Sequence, residues 1–465
     1  MATSRLARKF FLLSALLAAA GVGGAPNRLF AQGAAPAAPV APAAPVAPSA
    51  PAPSLGAAPS VSAPAQPAAP TIAAPDSGAT PESVVEKPRP KPKPKPRPPA
   101  RETALSDDPT PVLQPETFFA TSKASEKYAA IVDAGGWPKI GAALHPGSKG
   151  GLVVALRRRL AAEDEALADS MSSYWDAGLT EAVQRFQFRM GLRQTGVVAG
   201  ATLKALDVPA TVRFKQLASS AQRLAGVDNF PFGTRYVAVN IPAAAVDAVE
   251  NGRVVRRYTA IVGDVEHRSP EVQAKIVAVN INPTWTVPTS IIKNEIAPKM
   301  QRDPGYLSRA KIRVLDSHGD EVDPRSVNWS SERAVNYTLR QDSGAHNSLG
   351  SLRISMPNPH SVYMHDTPSK NLFASDYRFL SHGCVRVQGV VDLAAWLLDT
   401  APGAPGGHWD RTAITGKIAS AEREEVRLPR AVPVIWVYLT GWASADGNVH
   451  FRDDVYGLDE VGGQP

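Results

Sequence analysis

The chain has 465 residues, 43 of them proline, one cysteine and a formal net charge of +7. Twenty prolines fall within residues 34–100, and residues 1–101 hold eleven Lys or Arg against three Asp or Glu, so the rest of the chain has an ordinary proline content and a charge near −1. The overall basicity therefore gives no argument for nucleic acid as a partner, and a lone cysteine excludes an intramolecular disulfide or a cysteine-only metal site.

Arg5, Arg8 and Lys9 precede an apolar run at 10–20, small and turn-prone residues follow at 21–25, and a cleavage site is expected near Ala31. A basic start, a short apolar stretch and a small-residue exit predict a secretory signal peptide over residues 1–31. Leu29 is bulky for the position two before a cut, so an uncleaved anchor with transient inner-membrane association is the alternative. The run is shorter than the roughly 20 residues a spanning helix needs.

Residues 32–101 read as a disordered Ala/Pro and Lys-Pro linker. Proline fixes φ and donates no backbone hydrogen bond, which favours extended polyproline II. At about 3.1 Å per residue, the alternating segment 87–99 would reach roughly 40 Å. Its cations are either attracted to an anionic polymer or lipid, or simply solvated.

A small helical domain is expected at 127–210. Leu179, Ala182, Val183, Phe186 and Met190 recur at helical spacing, and Gly191 stands where a C-terminal glycine would stop the helix. Leu152, Leu156 and Leu160 mark a stripe before it, and 201–206 a short third helix after the turn at Gly196. Phe186 and Leu192 belong to a core face rather than to a ligand surface.

From 235 the texture becomes β-rich. Residues 235–242 alternate, 246–250 follow, and Asn251-Gly252 is a strong hairpin signal before a return strand at 254–262. A further strand is expected at 275–280, so this domain, 235–402, is mainly β. Residues 290–302 look helical and Asp303-Pro304-Gly305 stops them; the polar, irregular stretch to 349, with Trp329 and Tyr337 embedded, reads as an inserted lid at about 290–349. Strand texture resumes at 350–356, and 390–398 has a helix pattern. The remainder, 403–465, reads as an extension with a strand at 433–439 and a hairpin around Asp446-Gly447, packed on the catalytic domain.

The chemistry concentrates in a short region. Tyr363-Met364-His365-Asp366 is followed by Ser381-His382-Gly383-Cys384-Val385-Arg386. A thiol near histidine and a cation gains thiolate character. Gly383 removes a side chain just before the sulfur, and cysteine with histidine is a recurring pair for acyl transfer through a thioester.

These two phrases resemble the YkuD-type L,D-transpeptidase catalytic domain, of the larger lidded kind. The phrase at 179–187, with Gly191-Leu192-Arg193-Gln194-Thr195-Gly196-Val197, resembles a three-helix peptidoglycan-binding domain. The resemblance implies a multidomain wall enzyme of the periplasm acting on peptidoglycan stem peptides, with no metal and no organic cofactor, and it identifies no protein partner. It implies that Cys384 attacks the amide between diaminopimelate and D-Ala, that a thioester forms, and that a second diaminopimelate amine resolves it as a 3→3 cross-link. His365 matches the general base, and Tyr363 with the Cys384 N–H matches the oxyanion donors. Ser381, His382, Gly383 and Arg386 match the surrounding motif.

Alternatives stand beside these roles. His382 adjoins the nucleophile on an extended chain and is expected to bond structurally rather than act as base. Arg386 either takes a substrate carboxylate bidentately or braces the loop. Asp366 would point away from His365, His360 reads as a surface histidine, and Trp285 lines the groove or sits in the core. A water acceptor would give an L,D-carboxypeptidase, and a lysine acceptor would attach a protein. A non-catalytic wall-binding module and a papain-like protease are the readings outside this chemistry; in the latter the cysteine usually precedes the histidine, unlike Cys384 and His365.

Overall fold

The computed structural model describes residues 101–163, 167, 169–227 and 229–459. The expected signal peptide, and the linker up to residue 100, lie outside them. Among the described residues no helix is long and apolar enough to cross a membrane.

The helical region holds α1 (Thr117–Asp133), α2 (Gly151–Ala161), α3 (Ala177–Arg189), α4 (Gly200–Leu206) and α5 (Ala210–Leu224). Asp176 caps α3 by accepting from the Leu179 N–H, and Gly191 and Gly196 take positive φ at its exit and in the following turn. Leu179, Ala182, Val183, Phe186 and Met190 are buried together with Leu156 and Leu160. Leu152, expected on the inner stripe of α2, is exposed, and Val153 takes the buried position. Helices α1 and α5 escaped the sequence reading. Their buried faces include Thr117, Thr121, Gln216, Ser219 and Ser220, so apolar periodicity is faint.

The strands are β1 (Arg235–Asn240), β2 (Ala245–Glu250), β3 (Arg253–Gly263), β4 (Val272–Ile281), β5 (Trp285–Thr286), β6 (Ile312–Leu315), β7 (Glu321–Val322), β8 (Thr338–Gln341), β9 (Leu352–Ser355), β10 (Met364–His365), β11 (Phe379–Ser381), β12 (Val385–Val387), β13 (Glu424–Val437), β14 (Gly441–Ala443) and β15 (Val449–Phe451). The main sheet runs β11-β3-β12-β10-β9-β4-β13-β1-β2, and β2 pairs back onto β3, so the sheet closes on itself. Asn251 and Gly252 both have positive φ, as a two-residue hairpin turn between β2 and β3 requires. Val237, Val279, Ile354, Met364, Val385 and Val434 point into one core, joined by Leu393 and Leu397 of α6 (Val390–Leu398) and Ile414 of α7 (Arg411–Ala419).

Two expectations are corrected. The insertion is mixed rather than helical and irregular. It has a helical run with a π turn at Ile292–Ile296, strands β8-β6-β7 that β5, just before it, extends to a four-stranded sheet, and its own core around Ile296, Leu307, Val314, Trp329 and Leu339. Short strands of two to four residues carry too little alternation to be read.

The C-terminal extension, in turn, is not simply packed on the catalytic domain. Strand β13 lies inside the main sheet between β4 and β1. The β14–β15 hairpin packs on the helical region instead: Ala443 and Phe451 enter its core, and Arg452 donates to the Arg189 carbonyl at 3.0 Å. Apolar strands gain most where two surfaces cover them, and the hairpin finds its second surface on α1 and α5.

Candidate active site

Strand register builds the site. On β12, β10, β9, β4 and β13 the residues Arg386, His365, Arg353, Asn280 and Glu425 are successive cross-strand partners. Side chains alternate along a strand, and direct partners share a face. The five therefore form one row on the face opposite Val385, Met364, Ile354, Val279 and Val426, which belong to the core. Cys384, Tyr363 and Ser355 stand on that same polar face, each two residues along its chain from a member of the row.

The loop that carries Cys384 is braced from several sides. Gly383 has φ +100°, in the left-handed region. Ser381 Oγ donates to the Cys384 carbonyl at 2.5 Å, Ser269 Oγ donates to the Gly383 carbonyl at 2.8 Å, and the Asp264 N–H donates to the Ser381 carbonyl at 2.9 Å. Tyr456 locks Ser269 in turn: its hydroxyl donates to Gly263 O at 2.6 Å and accepts from the Ser269 N–H at 3.1 Å. The loop between β3 and β4 thus fixes the path of the chain up to the sulfur. Sequence reading missed Asp264, Ser269 and Tyr456, because no local pattern links them to the motif.

His382 turns outward. Its Nε2 lies 2.7 Å from Glu295 Oε1, on the π turn of the insertion, and its ring meets that of His267 at 4.4 Å between centroids, tilted by 36°. Asp264 holds His267 through Nδ1 at 3.1 Å. Glu295 and His267 were not singled out in the sequence; the π turn beneath Glu295 is the kind of helix irregularity that often marks a functional position.

The thiol of Cys384 is hydrogen-bonded by the backbone N–H and the hydroxyl of Tyr363. Burial pushes its pKa up to about 11, against the pull of those bonds and of Arg386 and Arg353. His365 is 5% exposed; burial first, then the Arg386 charge, lower its pKa to about 4. Its ring centroid lies 5.7 Å from that of Tyr363, and its Nδ1 has no hydrogen-bond partner. Burial also raises the Tyr363 pKa. At neutral pH the resting face therefore carries a thiol, a phenol and a neutral imidazole, with the guanidiniums of Arg386 and Arg353 close by. Arg386 Nε is buried without a partner.

The remaining candidates divide. Trp285 is half-buried and lines a cleft of about 410 Å³ with Tyr363, Arg353 and Leu349. Asp366 is turned from the imidazole: its carboxylate accepts from the N–H and Oγ of Ser351 and pairs with Lys370. His360 is exposed. Among the described residues no group of three or more His, Cys, Asp or Glu is placed to hold a metal ion.

Comparison with known proteins follows the same division of the chain. Residues 234–412 match the family described as the L,D-transpeptidase catalytic domain, and residues 149–206 match a candidate peptidoglycan-binding domain. A curated protein of Haemophilus influenzae, whose name marks it as a candidate L,D-transpeptidase, is 34% identical over 246 residues. That match covers 53% of this chain and 48% of the relative, so the chain spans about half the length of the curated relative it matches. The solved L,D-transpeptidase of Xylanimonas cellulosilytica is 18% identical, with 63% of this chain and 97% of that one covered and a TM-score of 0.21. The L,D-transpeptidase of Mycobacterium smegmatis is 15% identical, with 44% and 58% covered and a TM-score of 0.20.

Proposed function

We propose that this chain, which carries a YkuD-type L,D-transpeptidase catalytic domain and a peptidoglycan-binding domain, cross-links peptidoglycan stem peptides through a thioester on Cys384. The observation that carries this reading is the placement of the single cysteine: a braced, half-buried thiol on a polar sheet face beside Tyr363, His365 and Arg386.

The donor is a tetrapeptide stem. Cys384 Sγ adds to the carbonyl carbon of its third residue, diaminopimelate. The Tyr363 hydroxyl, already at the sulfur, and the Cys384 N–H donate to the developing oxyanion. A pKa of about 11 keeps the resting thiol protonated, so its proton must leave as the carbonyl arrives. His365, neutral above about pH 4, is the base that takes it and then protonates the departing D-Ala amine. The C–N bond breaks and a thioester remains. An amine of a second diaminopimelate attacks the thioester, the C–S bond breaks, and the thiol is restored. The helical region would hold the enzyme on the polymer, and the expected signal peptide would place this work in the periplasm.

The test is the full chain incubated with purified disaccharide-tetrapeptide, with Cys384→Ala alongside, read by mass spectrometry. A dimer lighter than two substrates by one D-Ala, absent with Cys384→Ala, is the expected result. Tripeptide monomer alone would replace transpeptidation by the carboxypeptidase reaction. Turnover by Cys384→Ala would remove the thioester. Carbapenems should also acylate Cys384, because a strained lactam carbonyl meets the same thiol, and whole-protein mass spectra would report the adduct. His365→Ala should slow acylation far more than His382→Ala; the reverse order would exchange their roles.

A further inference from the structure

Arg353 belongs to none of the motifs in the sequence, yet it stands in the middle of the catalytic face. It is the direct partner of His365 on one side and of Asn280 on the other. Its strand is two removed from that of Cys384, about 10 Å at roughly 4.8 Å per strand. It lines the cleft of about 410 Å³ that Tyr363 and Trp285 also line.

The guanidinium is held by neutral partners. Nε donates to Asn280 Oδ1 at 3.0 Å, Nη2 donates to Ser355 Oγ at 3.2 Å, and the group lies 5.6 Å from the centre of the Tyr363 ring. No described carboxylate lies within ion-pair distance of it. The acidic residues of the same cleft are engaged elsewhere: Glu425 accepts from Asn280 Nδ2 at 2.9 Å and pairs with Arg427, and Glu424 pairs with Lys417 at 3.0 Å. The result is an oriented planar cation, fixed along one edge and without a counter-charge, facing a cleft that reaches Tyr363, the neighbour of Cys384. Such a fork matches a carboxylate.

We propose that Arg353 binds the carboxylate at the far end of the donor residue's side chain, so that the site selects stems whose third residue carries that carboxylate free. The inference rests on the transpeptidase reading above. In diaminopimelate three methylene groups separate the two amino-acid centres. With the scissile carbonyl at Cys384, that chain is long enough for the second centre to reach across the face toward β9. Arg386 is another cation near the sulfur, but it stands on the nucleophile's own strand with a buried Nε, and Arg423, the other arginine of the cleft, precedes β13, four strands from β12.

The test compares two donors, disaccharide-tetrapeptides with the side-chain carboxylate of diaminopimelate free or amidated, on the full-chain enzyme and on Arg353→Gln and Arg353→Lys. D-Ala release gives kcat/KM. The wild type should favour the free carboxylate by about 10- to 100-fold, the range expected for hydrogen bonds to a charged group. Arg353→Gln should lose that preference, its kcat/KM falling much further on the free-carboxylate donor than on the amidated one, and Arg353→Lys should recover part of it.

Equal losses on both donors would overturn the proposal and make Arg353 a brace for Tyr363. Calorimetry of both donors on Cys384→Ala separates this outcome from failure of the enzyme reading. If the wild type releases D-Ala from neither donor, the transpeptidase reading falls. A calorimetric preference for the free carboxylate that Arg353→Gln abolishes would still support the site, and equal affinity for both donors would sink it.

Discussion

Two regions of this molecule bury charge and polarity, and they do so in opposite ways. In the helical region Glu163 is fully buried, accepts from the Tyr128 hydroxyl at 2.7 Å and from Arg159 at 2.7 Å, and has Arg189 at 3.6 Å. Arg159 also lies flat on Trp137, 3.6 Å from the ring centre. Burial alone would raise the Glu163 pKa; its arginines and the tyrosine hydrogen bond outweigh that and hold it down to about 2. On the sheet face that carries Cys384, His365 Nδ1 and Arg386 Nε are buried without partners, and burial prevails, with the thiol raised and the imidazole lowered. The first arrangement meets its carboxylate with two arginines, although Arg159 Nη2 and Arg189 Nη2 keep no hydrogen-bond partner. The second sets no described carboxylate within ion-pair distance of Arg386 or the imidazole, and its unmet bonding capacity is a cost in stability that an incoming substrate can offset.

The comparison predicts mutations with opposite readouts, and the largest effect should be on stability. Glu163→Ala strands two buried guanidiniums, which typically costs about 3–5 kcal/mol, and should lower the melting temperature while D-Ala release per folded molecule stays unchanged. Because the folded pKa lies below the unfolded one, the Glu163 contribution is fully present above about pH 4.5 and is lost as pH falls toward 2. Acid titration of wild type and mutant should therefore converge in that window; parallel curves would mean the cluster does not hold its carboxylate as described.

Next in size is Tyr363→Phe. Loss of an oxyanion donor costs about 10²–10³ in rate, and acylation by tetrapeptide, followed as thioester formation in mass spectra, should slow by that factor with the melting temperature nearly constant. A loss of stability as large as that of Glu163→Ala would show that Tyr363 is structural and would erase the contrast between the two regions. A third measurement sharpens it. With the thiol near pKa 11, alkylation of resting Cys384 by iodoacetamide should rise roughly tenfold per pH unit from 7 to 10 as thiolate forms. A plateau already at pH 7 would reveal a preformed thiolate–imidazolium pair and a different activation of the nucleophile.

How much of this was legible in the sequence depends on whether the chemistry is local. Ser381, Gly383 and Cys384 lie within four positions, and the residues meeting at the site from β10 and β12 are under thirty positions apart. The β2–β3 hairpin could be read from Asn251-Gly252, and α3 from its apolar period, because turn and helix signals are short-range. Arg353, Asn280 and Glu425 share a row only through the register of β9, β4 and β13, which is set by pairings across some 145 positions. Likewise, Arg257 ties the segment at 106–110 to β3 by donating to three of its carbonyls while pairing with Asp247. The sequence neighbours of Arg257 give no sign of that segment. Short strands and polar helix faces were missed for the same reason: packing, not local pattern, selects them.

The smallest predicted effect concerns the contact between the insertion and the motif. Glu295 meets His382 at 2.7 Å and Lys299 at 3.0 Å, and all three side chains are about a third or more exposed. Pairs so open to water contribute up to about 1 kcal/mol, so Glu295→Gln, which keeps an acceptor for His382, should slow acylation by no more than about fivefold. Hydrogen exchange at 289–302 should quicken modestly, because the contact joins the π turn to the loop that carries Cys384. The result matters for the contrast between regions because this pair belongs to neither kind: it is partnered, like Glu163, but sits at the site, like His365. A loss beyond a hundredfold in Glu295→Gln, with exchange at 289–302 unchanged, would make Glu295 part of the chemistry through His382. The base would then have to be sought on the outward side of Cys384 rather than beside Arg386. A small loss with faster exchange would leave His365 as the base and Glu295 as a fastening between the insertion and the loop that carries the sulfur.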